Sequence, residues 1–203
     1  MQTGPNKEKQ KRTKKRIKDV FMKLYSKYPL EKISMRQVAD LAGVTRSTVY
    51  VYFESVYDIL EVIERELQEG MAKYFEQYSG EINGENRQSW EESVEKWFEF
   101  CMENREYLVV ILGPNGDPSF EYKLRKKLKK DLNQMMDDDG MKNDYLRKYA
   151  LEYMAGAMIS LVRYWLECNE NLPAKDMAAV ANVIRQTKGV LQDMDMSEGE
   201  TEE

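Results

Sequence analysis

No histidine occurs anywhere in the 203 residues, which removes the commonest general base and the commonest zinc ligand before any motif is considered. Cysteine is almost as scarce. Cys101 and Cys168 fall on predicted helices without a CxxC spacing, and read as buried thiols, not as a disulfide or a metal pair. No apolar run approaches the roughly 20 residues that a membrane span requires, and the polar, basic N-terminus has no apolar segment of the signal-peptide kind. The expected location is therefore the cytoplasm, with no membrane partner. A nucleophile elbow and a phosphate-cradling glycine loop are also missing, and the plentiful acidic residues fall on predicted solvated faces. These absences point away from an enzyme: no catalytic residue, no cofactor and no metal site is expected.

What the chain has in quantity is charge, unevenly placed. Residues 1–60 hold 13 Lys and Arg against 6 Asp and Glu, whereas the other 143 hold 18 against 30, within a net charge of −5. A positive field confined to one end is what displacing the counterions of a polyanion needs, and the acidic balance of the whole chain does not oppose it. Lys7, Lys9, Lys11, Arg12, Lys14, Lys15, Arg16 and Lys18 open the chain. Residues 1–14 are expected to form a flexible basic arm, of the kind that orders on a duplex.

Behind that arm, Ile17, Val20, Phe21, Leu24, Tyr25 and Tyr28 recur at helical spacing as far as Pro29. Ser34 with Gln37 predicts a capping box and a short helix from Met35, and Gly43 stands where a left-handed residue must end it. Thr45 then caps a second short helix, whose first N–H groups favour an anion such as phosphate. At about 100° per residue, Val49 and Phe53 of this helix point inward while Ser47, Thr48 and Val51 point outward as a candidate reading edge. Tyr50 and Tyr52 lie on the flanks, where a phenol reaches backbone phosphates, and Arg46 is placed for a guanine edge or a phosphate. Ile33, Val38, Leu41, Val49, Phe53 and Leu60 are expected to complete a three-helix core. Two short helices joined at a glycine also occur in proteins that never meet DNA, so the charge distribution and the features below have to decide. Ser55 with Asp58 predicts the start of a long helix through about Tyr78.

After a polar break, SGEINGENRQS, the chain shows further helical periodicity and no strand-like alternation. Trp90, Val94, Trp97, Phe98, Cys101 and Met102 repeat at three and four, and Tyr107 to Leu112 forms a short apolar helix stopped by Gly113 and Pro114. Asp117 and Pro118 launch a basic helix to about Met136, whose KLRKKLKKDL is a solvated face around Phe120, Leu124, Leu128 and Leu132, with its field blunted by Asp137 to Asp139. Asp144 to Glu167 is apolar on more than one face and so needs several partners. A last helix follows Leu172 and Pro173 through about Leu191, and DMDMSEGETEE reads as a disordered acidic tail.

Residues from about Ile17 to Leu60 resemble the DNA-binding domain of the TetR family of bacterial transcriptional regulators, through Ala42, Gly43 and Val44, then Thr45, a small pair and the run TVYVYF. The resemblance implies DNA contacts from Arg36, Thr45, Arg46, Ser47, Thr48, Tyr50 and Tyr52, to which the helical wheel adds Val51. One departure stands out. The family usually carries a phosphate-binding lysine where this chain has Val56. Either the helix N-terminus capped by Ser55 still faces the phosphate, or Val56 packs against the core or a neighbouring chain. The region from about Glu103 to Ile184 is similar to the C-terminal domain of the dihydroxyacetone-kinase regulators of that family, through NREYL, LGPNGDPSF and a helix with Ala155, Gly156, Trp165 and Leu166. This implies a homodimer formed by the last two helices.

The expected fold is all-α, about nine helices. A DNA-binding helix-turn-helix domain (1–60) is joined by a long helix to a larger effector-binding and dimerisation domain (61–192), ahead of a tail (193–203). The expected function is a repressor on a near-palindromic double-stranded operator, released by a small apolar or aromatic effector. Trp97, Phe98, Cys101, Tyr107, Phe120, Tyr153, Met154 and Trp165 are the expected pocket, although a stripe at helical spacing is also what any bundle core needs. The competing reading is a ligand-independent regulator or coactivator whose larger domain binds a protein partner.

Overall fold

The computed structural model describes residues 5–79, 90–138, 140, 142–168 and 172–193. Nearly all of the predicted polar break and of the acidic tail lies outside the described residues. Among those residues the chain forms nine α-helices and no strand, the all-α class that the periodicities predict. They are α1 (Pro5–Tyr25), α2 (Met35–Ala42), α3 (Arg46–Tyr52), α4 (Val56–Ser79), α5 (Trp90–Glu103), α6 (Arg105–Ile111), α7 (Pro118–Asp138), α8 (Tyr145–Glu167) and α9 (Ala174–Asp193), with a 3-10 turn at Leu30–Lys32. No helix among the described residues is long and apolar enough to cross a membrane.

Two compact units share these helices. One holds the chain up to Gly70 together with Asn104–Glu121, the other Met71–Glu103 and the chain from Tyr122 onward. The boundary drawn from sequence at residue 60 falls inside α4, and α6 groups with the N-terminal helices.

In the first unit α2 packs on α1 and on α3, and α6 packs on α1. Ile17, Phe21, Val38, Val49, Phe53, Ile59, Leu108 and Phe120 are fully or almost fully buried there. Two expectations need correction. Helix α1 begins at Pro5, inside the stretch 1–14 predicted as a flexible arm. Proline is pre-set for the first helical position, and the Lys, Glu, Gln and Arg that follow are strong helix formers. Leu41, predicted in the core, is 63% exposed. The buried arc of α2 is Met35, Val38, Ala39 and Ala42, and Leu41 stands about 100° round from Ala42.

In the second unit α5 packs against α8 and α9, and α8 against α9. Phe98 sits edge-on to Trp97 at 5.2 Å and to Trp165 at 5.3 Å between ring centroids, the arrangement that aromatic quadrupoles favour. Trp165 Nε1 donates to the Leu172 carbonyl at 2.9 Å, which ties the end of α8 to the segment entering α9. Asp144 caps α8 by accepting from the Arg147 N–H at 3.1 Å.

The Arg147 side chain turns inward and is one of the few buried charges, with 3% of the residue exposed. Its Nε donates to Asn133 Oδ1 at 3.0 Å, and its Nη2 to the Asn133 carbonyl at 2.5 Å and to Asp137 Oδ1 at 2.7 Å. One guanidinium thereby closes the last turns of α7 onto the first turn of α8. Truncating it removes three hydrogen bonds made by a buried guanidinium and leaves a void where its stem was, which makes the loss larger than that of an ordinary surface pair. Arg147→Ala is expected to lower stability by about 2 kcal/mol in urea titration, and Arg147→Lys to recover little of it, because an ammonium lacks the planar fork. An Arg147→Ala protein as stable as the parent would show that these bonds contribute nothing net.

Candidate nucleic-acid interface

The N-terminal unit holds a seven-residue helix, α3, by chemistry that is local at both ends. At the start of α2, Ser34 N–H donates to Gln37 Oε1 at 2.8 Å and Gln37 N–H returns to Ser34 Oγ at 3.3 Å, a closed capping box. Gly43 ends α2 at φ +60, ψ +40. A Cβ there would meet no atom within 4 Å, so the glycine is required by its left-handed backbone and not by crowding. Two residues later Thr45 Oγ1 accepts from the Thr48 N–H at 3.2 Å, and shares hydrogens with Ser47 Oγ at 2.9 Å and Thr48 Oγ1 at 2.8 Å. At the far end Ser55 Oγ accepts from the Asp58 N–H at 3.1 Å, while Asp58 Oδ2 accepts from the Glu54 N–H at 2.8 Å. The chain therefore leaves α3 in a fixed direction.

Inside this frame Val49 and Phe53 are buried and Val51 is 77% exposed, so the inward and outward faces divide as the helical wheel predicts. Ser47 is exposed and Thr48 half-buried; Tyr50 is exposed and Tyr52 half-buried. Arg46 is exposed but not idle: its Nη2 donates to the Tyr50 hydroxyl at 3.3 Å, with the guanidinium 5.6 Å from that ring's centroid. Arg36 on α2 is exposed and lies 3.7 Å from Asp40. Seven of these eight residues follow one another within 45–52, and the fold places them on one short helix and its cap.

One feature was left open by the sequence, and two escaped it. Val56 is only 8% exposed, at the first position of α4, in agreement with its packing against the core. Lys14 and Lys18 on α1 both pair with Glu66 on α4, Lys14 at 3.7 Å, and Lys14 also lies 5.7 Å from the Phe53 ring centroid at the end of α3. Tyr107 on α6 donates to Asp19 on α1 at 2.5 Å. Burial, reinforced by that carboxylate, pushes the phenol's pKa up, so it stays a donor. No local pattern signals these contacts, because the partners are distant in sequence.

The residues expected to line an effector pocket are shared between the two units. Trp97, Phe98, Cys101, Met154 and Trp165 are buried in the second unit. Burial raises the Cys101 thiol's pKa, which keeps it protonated and inert. Tyr107 and Phe120 belong to the first unit, and Tyr153 is 55% exposed. A phenol suits either a core or a surface, which is why spacing alone placed it inside.

Residues 18–63 match the family described as "Bacterial regulatory proteins, tetR family", and residues 88–186 match a "Transcriptional regulator C-terminal region" of the same family. The chain belongs to the TetR family. This regulator is 22% identical over 97 residues to the uncharacterized HTH-type transcriptional regulator YxbF of Bacillus subtilis (strain 168), a match that covers 48% of this chain and spans 26% of that protein's length. Its fold is similar to that of the dihydroxyacetone kinase operon activator DhaS, at 18% identity and a TM-score of 0.56 over 88% of this chain and 97% of the other. It is likewise similar to SmeT, the repressor of the Stenotrophomonas maltophilia multidrug efflux pump SmeDEF, in its triclosan complex, at 13% identity and a TM-score of 0.60 over 87% and 90% of the two chains. At such identities the likeness is one of fold.

The buried Val56 decides what restoring the family's lysine would do. Val56→Lys is expected to lower the melting point, by about 1–2 kcal/mol of stability, because the long stem must thread out of an apolar site. The salt dependence of DNA binding should stay that of the parent. A slope steeper by about 0.9 in log K against log salt, with an unchanged melting point, would instead mean that the lysine reaches a phosphate.

Proposed function

We propose that this regulator is a homodimeric repressor whose α3 enters the major groove of a near-palindromic operator. The observation that carries the reading is the outward face of α3. An apolar Val51 stands almost fully in solvent beside the hydroxyls of Ser47 and Thr48, on a helix whose opposite face is anchored. A valine methyl suits the thymine methyl, and hydroxyls suit several base edges. Arg46 is the candidate for a guanine, and Arg36, Thr45, Tyr50 and Tyr52 for phosphates that set the register. Residues 1–60 serve as the DNA-binding domain and the chain after them as the sensing and dimerisation domain of a cytoplasmic protein.

Dimerisation is assigned to α8 and α9. Tyr149, Tyr153 and Tyr164 are exposed along one side of α8, interleaved with Gly156, Ala157 and Ser160, while Val180 and Val183 are exposed on α9. Such a stripe of aromatic and small residues suits a self-complementary two-fold face. The effector site is assigned to Trp97, Phe98, Cys101, Met154 and Trp165, with Ser93 added. Ser93 is fully buried on α5 one turn before Trp97, and among the described residues its hydroxyl has no hydrogen-bond partner, an orphan that a ligand's polar atom would satisfy. The triclosan complex of SmeT supports a small-molecule effector for this fold. The rival reading, a coactivator answering to a protein partner, draws support from the likeness to an operon activator.

Repression and release then follow from differential binding. Half-sites lie about 34–36 Å apart or at a multiple of that spacing. An effector that binds better to a dimer with wrongly spaced reading helices lowers operator affinity by that difference in free energy.

Selection of bound sequences from random DNA supplies the operator, and gel shifts on operator and scrambled duplexes separate the roles. Tyr50→Phe and Tyr52→Phe should weaken both complexes alike, while Thr48→Ala and Val51→Ala should cost about 1–3 kcal/mol on the operator and change its preferred bases. Four variants indistinguishable from the parent would remove α3 as the reading element. For assembly, Ala157→Glu or Leu161→Glu should shift the sedimenting species from dimer to monomer. A parent that sediments as a monomer at micromolar concentration and still holds its operator tightly would contradict the dimer.

A further inference from the structure

The N-terminal half of α1 is long, charged and unused by the three-helix core. From Lys7 to Arg12 every residue is exposed, and the first buried position of the helix is Ile17. This amounts to about 9 Å of helix axis on which, among the described residues, no side chain is buried. A helix of this kind contributes nothing to the apolar core, so its presence calls for another account.

Its cations divide into two sets. Lys14 and Lys18 are engaged by Glu66 and Lys15 by Asp19. Lys7, Lys9, Lys11, Arg12 and Arg16 are exposed, and among the described residues none of them has a carboxylate in ion-pair reach. Glu8 is spaced to pair with Arg12 four residues on, yet they form no ion pair. The arrangement is unfavourable for the helix itself. Like charges stand at i, i+4 in Lys7 and Lys11, Lys11 and Lys15, and Arg12 and Arg16, and cations crowd the N-terminal half, against the helix dipole. An anion laid along it would relieve both strains.

Position favours one anion. Lys14, where the extension meets the core, lies against the Phe53 ring that terminates α3, so the extension starts beside the end of the reading helix. On the wheel Lys9, Arg12 and Arg16 fall within about 60° of one another, on the side turned away from Phe21. The stripe spans about 10 Å of axis, over which each strand of a duplex presents about three phosphates.

We propose that Lys9, Arg12 and Arg16 form a second DNA-contacting element, which binds the phosphate backbone flanking the base pairs read by α3. This rests on the assignment of α3 as the reading helix. The extension adds affinity without sequence preference, and it is a preformed helix, not an arm that must order on contact.

The test uses the full chain with Lys9, Arg12 and Arg16 all changed to glutamine, on operator and scrambled duplexes across a salt series. On both duplexes the log K against log salt slope should fall by about 0.9 for each phosphate that the variant leaves unneutralised, and the melting point should hold. For three such phosphates the parent's extra loss of affinity between 50 and 200 mM salt, about forty-fold, disappears. The control changes Lys123, Lys126 and Lys130, exposed cations of α7, to glutamine, an equal change of net charge that should leave the slope alone. An unchanged slope in the α1 triple variant, or an equal fall in the α7 control, overturns the proposal. A parent that discriminates operator from scrambled DNA while the α1 variant keeps its slope sinks this element alone. A parent without DNA affinity sinks both readings.

Discussion

A seven-residue helix is too short to persist by itself in water, so the outward face of α3 exists only because its surroundings hold the helix in place. Val49 and Phe53 anchor it from beneath, Thr45 caps its start, and the Ser55 and Asp58 bonds fix the chain as it departs. The division of labour is nearly complete. The residues that anchor α3 face inward or lie at an end, and Val51 is left free of structural duty, while the Ser47 and Thr48 hydroxyls share hydrogens with the Thr45 cap. A surface relieved in this way can change its chemistry without loss of fold, as a scaffold for many different sequences must.

What could be read from the sequence was what the chain settles within three or four residues. The Ser34 and Gln37 box, the left-handed Gly43, the Thr45 and Ser55 caps and the proline at the head of α7 all act on their own neighbours, and all form as the residue types predict. The failures share a cause of the opposite kind. Tyr107 meets Asp19 across 88 positions and Lys18 meets Glu66 across 48, distances over which no spacing rule operates. Leu41 fits a helical period but falls outside the arc that α2 buries. Residues 5–14 have an arm's composition and a helix's propensity, and propensity prevailed. The inward and outward faces of α3 were legible for a further reason: they are set within about two turns, where the wheel has little room for error.

Helix α8 shows why aromatic residues mislead such a reading. After Arg147 its buried arc is alanine, methionine and branched aliphatic residues, with Trp165 near its end, and its tyrosines stand outside. A phenol has an apolar body and a polar tip, so it tolerates water until a partner covers it. Spacing finds such residues and cannot assign them to an inside or an outside.

Arg46 and Tyr50 bear on how such a regulator changes over evolutionary time. The guanidinium rests on the ring and the hydroxyl of a residue one turn along its own helix, an exposed contact of about 0.5–1 kcal/mol. Under the proposed reading of α3, neither residue is then an independent letter in a recognition code. Replacing the tyrosine with an aliphatic residue releases the arginine to sample other rotamers, and replacing the arginine leaves a phenol with a different reach. Drift toward a new operator at either position therefore passes through an intermediate in which both contacts are degraded, and lineages should exchange the two as a unit.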